Sequence, residues 1–373
     1  MNRSRQSDLD LASQPLTHAT ALPAVFYTDP AMSALDRRAI FDRGWQLLAH
    51  VCQLRDPGDH VVADFTGLPV IAVRGAGDQG QAGEIRVFHN VCRHRAGPIA
   101  SCDGRAAKSL RCRYHGWTYG LDGVLRSAPE MSGAADFDVA DVQLPQLAVR
   151  VWQGLVFAAV DDAHAIDFDA FVAGIDVRLG ASRGLAHYGH HQRVGYDVAC
   201  NWKVYVDNYL EGYHVPHIHP GLNKLLDYRS YVTETAQWHS FQFSPLANVG
   251  DSPGDGLYGD GDALYYWLWP NTMLNILPGR LQTNRVVPMG VDRCRVEFDF
   301  YYTADDSGEA RARREADLAF SDEVQLEDLT ICQDVQRGLA SGSYQPGRLN
   351  PLRENAVHHF HELLRGAYRG APA

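Results

Sequence analysis

Two short segments, Cys92-Arg93-His94 and Cys112-Arg113-Tyr114-His115, constrain this chain more than anything else in it. Each offers one thiolate and one imidazole. Two such loops can hold a pair of irons, both cysteines on one iron and both histidines on the other. Exchanging two thiolates for neutral imidazoles removes negative charge from the cluster and lifts its potential, to roughly −150 to +300 mV in centres of this kind. Gly97, Pro98 and Gly116 beside the four residues fit tight loops whose N–H groups can face the sulfides. A structural zinc site with two Cys and two His is the competing reading. Zinc patterns of that sort pair Cys with Cys and His with His locally, whereas each half here is mixed and its surroundings are rich in β-forming residues. The other cysteines, Cys52, Cys102, Cys200, Cys294 and Cys332, read as buried or incidental thiols.

A chain of 373 residues is too long for one small core and suggests two domains. Residues 1–43 read as an arm and helix, 44–160 as a small all-β domain, and 161–373 as a larger domain mixing strands and helices. In the arm, Met1 to about His18 is expected to be disordered or draped over the surface, and Asp29 to Asp42 to be helical. In the β domain, runs such as Val70–Val73, Ile85–Phe88 and Leu155–Val160 alternate with Gly and Pro turns. Further on, Ala263–Leu268, Gln282–Val287 and Cys294–Tyr302 look like neighbouring antiparallel strands. Glu309–Gly338 and Glu354–Tyr368 look helical, and Gly250–Gly261 reads as a mobile loop. The net charge of −11 and the lack of any Lys/Arg block argue against a nucleic-acid partner. No apolar run approaches the length of a membrane span, and Met1 to Gln14 is polar, unlike a signal peptide. Seven unevenly spaced cysteines point to metal binding in a reducing compartment, so the cytoplasm is the expected location.

A second constellation follows in the larger domain. The segment from Asn201 to His214 is expected to be helical through its later part, which would put Asn208, Glu211 and His214 on one face. His217 and His219 follow at once. A carboxylate and two histidines make an iron site with three protein ligands on one face of an octahedron and open positions for O2 and solvent. Chemistry alone leaves the pair open among 214/217, 214/219 and 217/219.

The stretches Asn90–Arg95 and Cys112–Trp117 closely resemble the Rieske domain of Rieske non-haem iron oxygenases, and the resemblance runs from about Phe26 to Tyr368. It implies an α+β protein: an N-terminal all-β Rieske domain, then a C-terminal helix-grip (START-like) catalytic domain with an antiparallel sheet and helices. It implies a [2Fe–2S] cluster on Cys92, His94, Cys112 and His115. The family's spacing of acid, His and His maps onto Glu211, His214 and His219, leaving His217 as a spacer. The third ligand of the mononuclear Fe(II) would be an acid opening a C-terminal helix; Asp328 aligns best, with Glu327 and Asp334 as competitors. Glu211 would bridge His214 and the cluster's His115 across subunits of a homotrimer. Many ring-hydroxylating relatives carry Asp at the bridge, and the Glu resembles the branch acting on choline, carnitine or betaine.

That branch implies hydroxylation or N-demethylation of a quaternary ammonium compound; an aromatic or other hydrophobic substrate is the alternative. A trimethylammonium group is best held by ring faces. Tyr205, Tyr213, Tyr265, Trp267 and Trp269 are the candidates, with Phe243 beside them. Strand alternation would point Tyr265, Trp267 and Trp269 one way and Tyr266 the other. No dinucleotide or flavin motif is evident, so electrons would come from NAD(P)H through a separate flavin/iron–sulfur reductase. Two different classes compete: a Rieske electron carrier with a non-catalytic appendage, and a zinc-stabilised binding module.

Overall fold

The computed structural model describes residues 9–180, 183–246, 257–259 and 261–371. Most of the stretch read as a mobile loop lies outside them, as do the first eight residues of the arm. The chain forms two compact units. One comprises 41–168 and 179–190; the other takes the arm before residue 41, then 169–178 and 191 onward. The arm up to residue 40 groups with the C-terminal unit. Its apolar residues need cover: Phe26 and Tyr27 are buried, Phe26 packs 5.8 Å from Tyr368, and Thr20 bridges to Arg348.

The N-terminal unit contains β1 (Gln46–His50), β2 (His60–Phe65), β3 (Leu68–Ala76), β4 (Ala82–His89), β5 (Leu110–Arg111), β6 (Thr118–Tyr119), β7 (Leu125–Ser127), β8 (Gln146–Trp152) and β9 (Leu155–Ala159). They make a six-stranded sheet in the order β1-β9-β8-β4-β3-β2 and a three-stranded sheet in the order β5-β6-β7. Strand β3 shows why both are needed. Its side chains alternate, so Val70 and Ala72 join a core with Val61, Phe65, Val87 and Val156. Ile71 and Val73 join a second core with Phe88, Leu110, Trp117 and Tyr119, and that core includes Cys92 and Cys112. The two ligand cysteines therefore sit at the edge of an apolar layer, on loops flanking the small sheet.

In the C-terminal unit, α1 (Ala31–Asp36) runs into a π-helical turn over Arg37–Phe41. Strands β10 (Gly189–Val198), β11 (Val232–Thr235), β12 (His239–Pro245), β13 (Asp262–Leu268), β14 (Thr272–Leu277), β15 (Arg280–Pro288) and β16 (Cys294–Tyr302) form one sheet in the order β10-β16-β15-β14-β13-β12-β11. Segments 263–268 and 282–287, expected to be neighbours, are not adjacent. The unexpected strand β14 lies between them and pairs with both. Between β10 and β11 come α2 (Trp202–Tyr209), α3 (Val215–Ile218) and α4 (Pro220–Leu225); α5 (Gly308–Ala340) and α6 (Asn355–Arg369) follow the sheet. Helix α5 crosses β15, where Asp317 meets Arg280 at 3.0 Å and Ser321 donates to Gln282 at 3.2 Å. No helix among the described residues is long and apolar enough to cross a membrane.

Helix α2 starts where Asn201 caps it, its side-chain oxygen accepting the Lys203 N–H at 3.0 Å. It ends at Tyr209, so the segment is helical in its first part, not its later part. Asn208 alone of the expected trio stands on the helix. Glu211 and His214 lie on the turn after it and reach the same place through that turn.

Candidate functional site

The loops 92–97 and 112–117 are conformational copies. In each, the cysteine N–H donates to the carbonyl five residues on, Cys92 to Gly97 at 2.8 Å and Cys112 to Trp117 at 2.9 Å. In each, the fourth residue on donates back to the cysteine carbonyl, Ala96 and Gly116 both at 3.0 Å. That residue has a left-handed backbone in both, φ 58° at Ala96 and 76° at Gly116. Burial raises the Cys112 thiol's pKa, and the neighbouring Cys92 adds to the rise. The Tyr119 hydroxyl lies 3.2 Å from Cys92 Sγ and accepts the Arg93 N–H at 3.1 Å. His94 and His115 have ring centroids 4.6 Å apart, and His94 stacks on Trp117. His94 Nδ1 is buried with no hydrogen-bond partner among the described residues. A Cβ on Gly97 would come within 3.0 Å of Cys112 Sγ. Two adjacent thiols, two facing imidazoles with an unsatisfied nitrogen, and a cradle open only because Gly97 lacks a side chain fit a two-iron cluster.

In the C-terminal unit three donor atoms converge. His214 Nε2 and His219 Nε2 are 3.2 Å apart. Asp328 Oδ1 lies 3.0 Å from His219 Nε2 and 3.7 Å from His214 Nε2. Each imidazole has its other nitrogen on a carboxylate: His214 Nδ1 on Glu211 Oε1 at 2.6 Å, His219 Nδ1 on Glu327 Oε2 at 2.7 Å. With Nδ1 donating, Nε2 is a lone-pair acceptor. Two such lone pairs and a carboxylate oxygen this close call for a cation among them, and two histidines with one carboxylate suit ferrous iron. Burial disfavours a charged His219, yet Asp328 and Glu327 outweigh it and raise its pKa. The pocket therefore favours positive charge at this point.

His217, the open alternative, is exposed and outside the group. Asp328 does not open a helix; it lies well inside α5. Glu327 takes the far side of the His219 ring, and Asp334 is exposed and paired with Arg337. Asn208 Nδ2 donates to Asp328 Oδ1 at 2.6 Å.

A cavity of about 820 Å3, counted to its open mouth, leads to this group. Tyr205, Tyr209, Tyr231, Tyr258 and Tyr265 line it, with Leu222, Phe298 and Phe320. Of the candidate rings, Tyr205 and Tyr265 are in this lining. Tyr213, Trp267, Trp269 and Phe243 are not in the lining. Tyr213 is 45% exposed on the turn after α2. Trp267 does share Tyr265's side of β13, but Phe360 of α6 covers it at 5.3 Å and its indole donates to the Pro270 carbonyl. Trp269 lies past the strand end against Trp267 and Phe360. Phe243 is on the opposite face of β12 from Gln242, which does line the cavity. Missed were Tyr209, Tyr231 and Tyr258; only Tyr209 had a signal, its place one residue after Asn208. Three of the thiols taken as incidental also gather behind Asp328: Cys200 lies 3.9 Å from Cys294 and interacts with Cys332, one turn beyond Asp328.

The Rieske [2Fe-2S] domain family matches residues 44–146, and the ring hydroxylating alpha subunit (catalytic domain) family matches 185–370. This chain therefore belongs to the Rieske non-haem iron oxygenases, and its cofactors are a [2Fe–2S] cluster and a mononuclear iron. It is 36% identical over 364 residues to the chloroplastic choline monooxygenase of Arabidopsis thaliana, covering 94% of this chain and 83% of that one. It is 29% identical over 368 residues to the carnitine monooxygenase oxygenase subunit of Escherichia coli K12, covering 94% of both. Its fold matches the crystal structure of the quaternary ammonium Rieske monooxygenase CntA with a TM-score of 0.85 at 26% identity, covering 96% of this chain and 99% of that one.

Proposed function

We propose that this chain is the oxygenase component of a monooxygenase that hydroxylates or N-demethylates a quaternary ammonium compound. In this reading Cys92, His94, Cys112 and His115 hold the cluster, and His214, His219 and Asp328 hold the iron. The observation that carries it is a cavity with five tyrosines leading to three convergent donor atoms. A trimethylammonium group offers no N–H to donate, and each ring face it meets is worth about 0.5–2 kcal/mol. Choline and carnitine are the substrates named for the similar proteins, and CntA has been determined with L-carnitine and with gamma-butyrobetaine bound.

The bound iron supplies activation of O2, using electrons stored at the cluster. The chain's own groups prepare the place. Glu211 and Glu327 hold the Nδ1 protons of His214 and His219, so both Nε2 lone pairs point inward. Asn208 steadies the Asp328 carboxylate. Tyrosine hydroxyls are tied into the wall, Tyr205 to Gln325, Tyr209 to Asn275 and Tyr231 to Gln242, which fixes their rings as cavity surface. Leu222, Leu225, Leu226 and Val324 help keep water from the reacting end.

A separate NAD(P)H-dependent flavin/iron–sulfur reductase supplies the electrons. Three copies assemble so that Glu211 links His214 to His115 of the partner subunit. Inter-subunit electron transfer is described for a quaternary ammonium Rieske monooxygenase, and His115 stands exposed at its loop tip, available for such a contact. Seven cysteines, none in a disulfide, suit a reducing cytoplasm.

The test is NADH consumption with a matched reductase across quaternary amines and aromatic acids, scored for oxygenated or demethylated product. Product from at least one quaternary amine is expected. Product from aromatic acids with none from the amines would replace this reading by its ring-hydroxylating alternative.

A further inference from the structure

The cavity has a second end. Asp328 on α5 marks the metal end, and Arg280 marks the other, with Asp317, eleven residues before Asp328 on the same helix, behind it. At about 1.5 Å per residue the two aspartates stand roughly 16 Å apart. Asp317 is held by Tyr302 at 2.5 Å, by Tyr258 and by Arg280 Nε at 3.0 Å. Arg280 is only 6% exposed and lines the cavity.

Arg280 sets the polarity of the wall beside it. A guanidinium can only donate, so the Gln282 side-chain oxygen must face it and accept from Nη2. Ser321 donates to that same oxygen. Gln282 then presents its amide nitrogen to Asn284 Oδ1 at 2.8 Å, which also takes a contact from Asn275 Nδ2 at 3.4 Å. Asn275 Oδ1 in turn accepts the Tyr209 hydroxyl at 2.7 Å. The acceptor oxygens of this wall are engaged, and what remains unmatched is donors. Arg280 Nε lies near Asp317 but out of line for a hydrogen bond, and Nη1 has no acceptor among the described residues. The Tyr265 hydroxyl, close enough to Arg280 to feel its charge, has none either. Asp317 cannot answer all of this, because its charge is already shared among three partners.

We infer that this end takes an anion, so that the substrate is a quaternary ammonium carboxylate whose carboxylate meets Arg280 and Tyr265 while its trimethylammonium end lies among the tyrosines toward the metal. The inference rests on the quaternary ammonium reading above and narrows it: a zwitterion is preferred over an alcohol such as choline.

Binding to the iron-loaded, anaerobic protein is measured by calorimetry for gamma-butyrobetaine, its methyl ester, L-carnitine, choline and benzoate. The acid should bind at least about tenfold more tightly than its ester, and L-carnitine more tightly than choline, as for a charge-assisted contact to one buried guanidinium. The double variant Arg280→Gln with Asp317→Asn removes both charges, so neither is left unpaired. It should weaken the acids about 10- to 100-fold and leave the ester within twofold. Tyr265→Phe, which keeps the ring, should weaken the acid about threefold and spare the ester; this arm stands even if the double variant does not fold. Equal binding of acid and ester by the native protein overturns the inference and leaves the wider reading intact. Binding of benzoate with none of the quaternary amines overturns the wider reading itself.

Discussion

The loops 92–97 and 112–117 repeat one backbone course within a few dozen residues and place their donors by local hydrogen bonds and a left-handed fourth residue. The iron site draws its donors from a turn after α2, from the junction of α3 and α4, and from the interior of a helix more than a hundred residues away. One centre is made by turn geometry, the other by the packing of α5 against α2. Local geometry tolerates change elsewhere but fails when an atom is added to the loop. Packed geometry tolerates small local changes but depends on every element that sets the helices, and on the carboxylates that aim the rings.

The sharpest way to break the comparison is to remove one centre and inspect the other. His214→Ala with His219→Ala should reduce product formation more than about 1,000-fold and drop the iron content from about three to about two per chain. The Rieske electron paramagnetic resonance signal should persist unchanged. Loss of that signal would mean that the two centres do not form independently.

Acid should separate the units next. His50, the last residue of β1, is buried, its Nδ1 accepting the Cys52 N–H at 3.1 Å and its Nε2 donating to the Leu185 carbonyl at 3.2 Å. Burial lowers its pKa from 6.5 to about 4. Between those values the unfolded chain binds a proton that the folded one refuses, so stability is complete above 6.5 and falls as pH drops toward 4. The contribution is roughly 3 kcal/mol. Thermal unfolding followed by the cluster's visible absorbance should show the decline, and His50→Gln should flatten it.

Glu327→Ala leaves all three donor atoms but frees the His219 ring. Iron affinity at the mononuclear site should fall about 10- to 100-fold, measured by competition with a chelator, with the cluster unaffected. Least of all, Ala96→Gly relieves a left-handed alanine where the sister loop already has glycine, and should stabilise the N-terminal unit by up to about 1 kcal/mol in denaturant unfolding.

The same contrast governs what could be read from the chain alone. Cys92, His94, Cys112 and His115 are legible because their spacing and flanking glycines are themselves the loop. His214 and His219 needed a family pattern to be separated from His217, since on chemistry all three are equivalent; what excludes His217 is that it faces solvent. Glu327 and Asp328 are neighbours of similar chemistry, and only the placing of the His219 ring between them gives one the metal side and the other the Nδ1 side. Strand β14 escaped notice because Thr272 and Asn275 break its apolar run, although both are buried. Strand β15 hides its role in the same way: Arg280, Gln282 and Asn284 look like a solvent face, yet they are buried and hydrogen-bond to one another along the cavity wall. Trp267 and Trp269 show the converse error, aromatics that look like a binding cage and are held as core by Phe360.

Asp36 at the end of α1 accepts from Trp202 at 2.8 Å and from Tyr368 at 2.5 Å, and forms an ion pair with the fully buried Lys203. Asp207 at the other end of α2 meets Tyr27 and His361. The helix carrying Asn208 is thus moored at both ends by residues of the arm and of α6. Its position is settled only once α6 has emerged and docked, so the iron pocket waits for a helix far downstream, whereas the cluster loops, complete by residue 117, can close on their metal well before it.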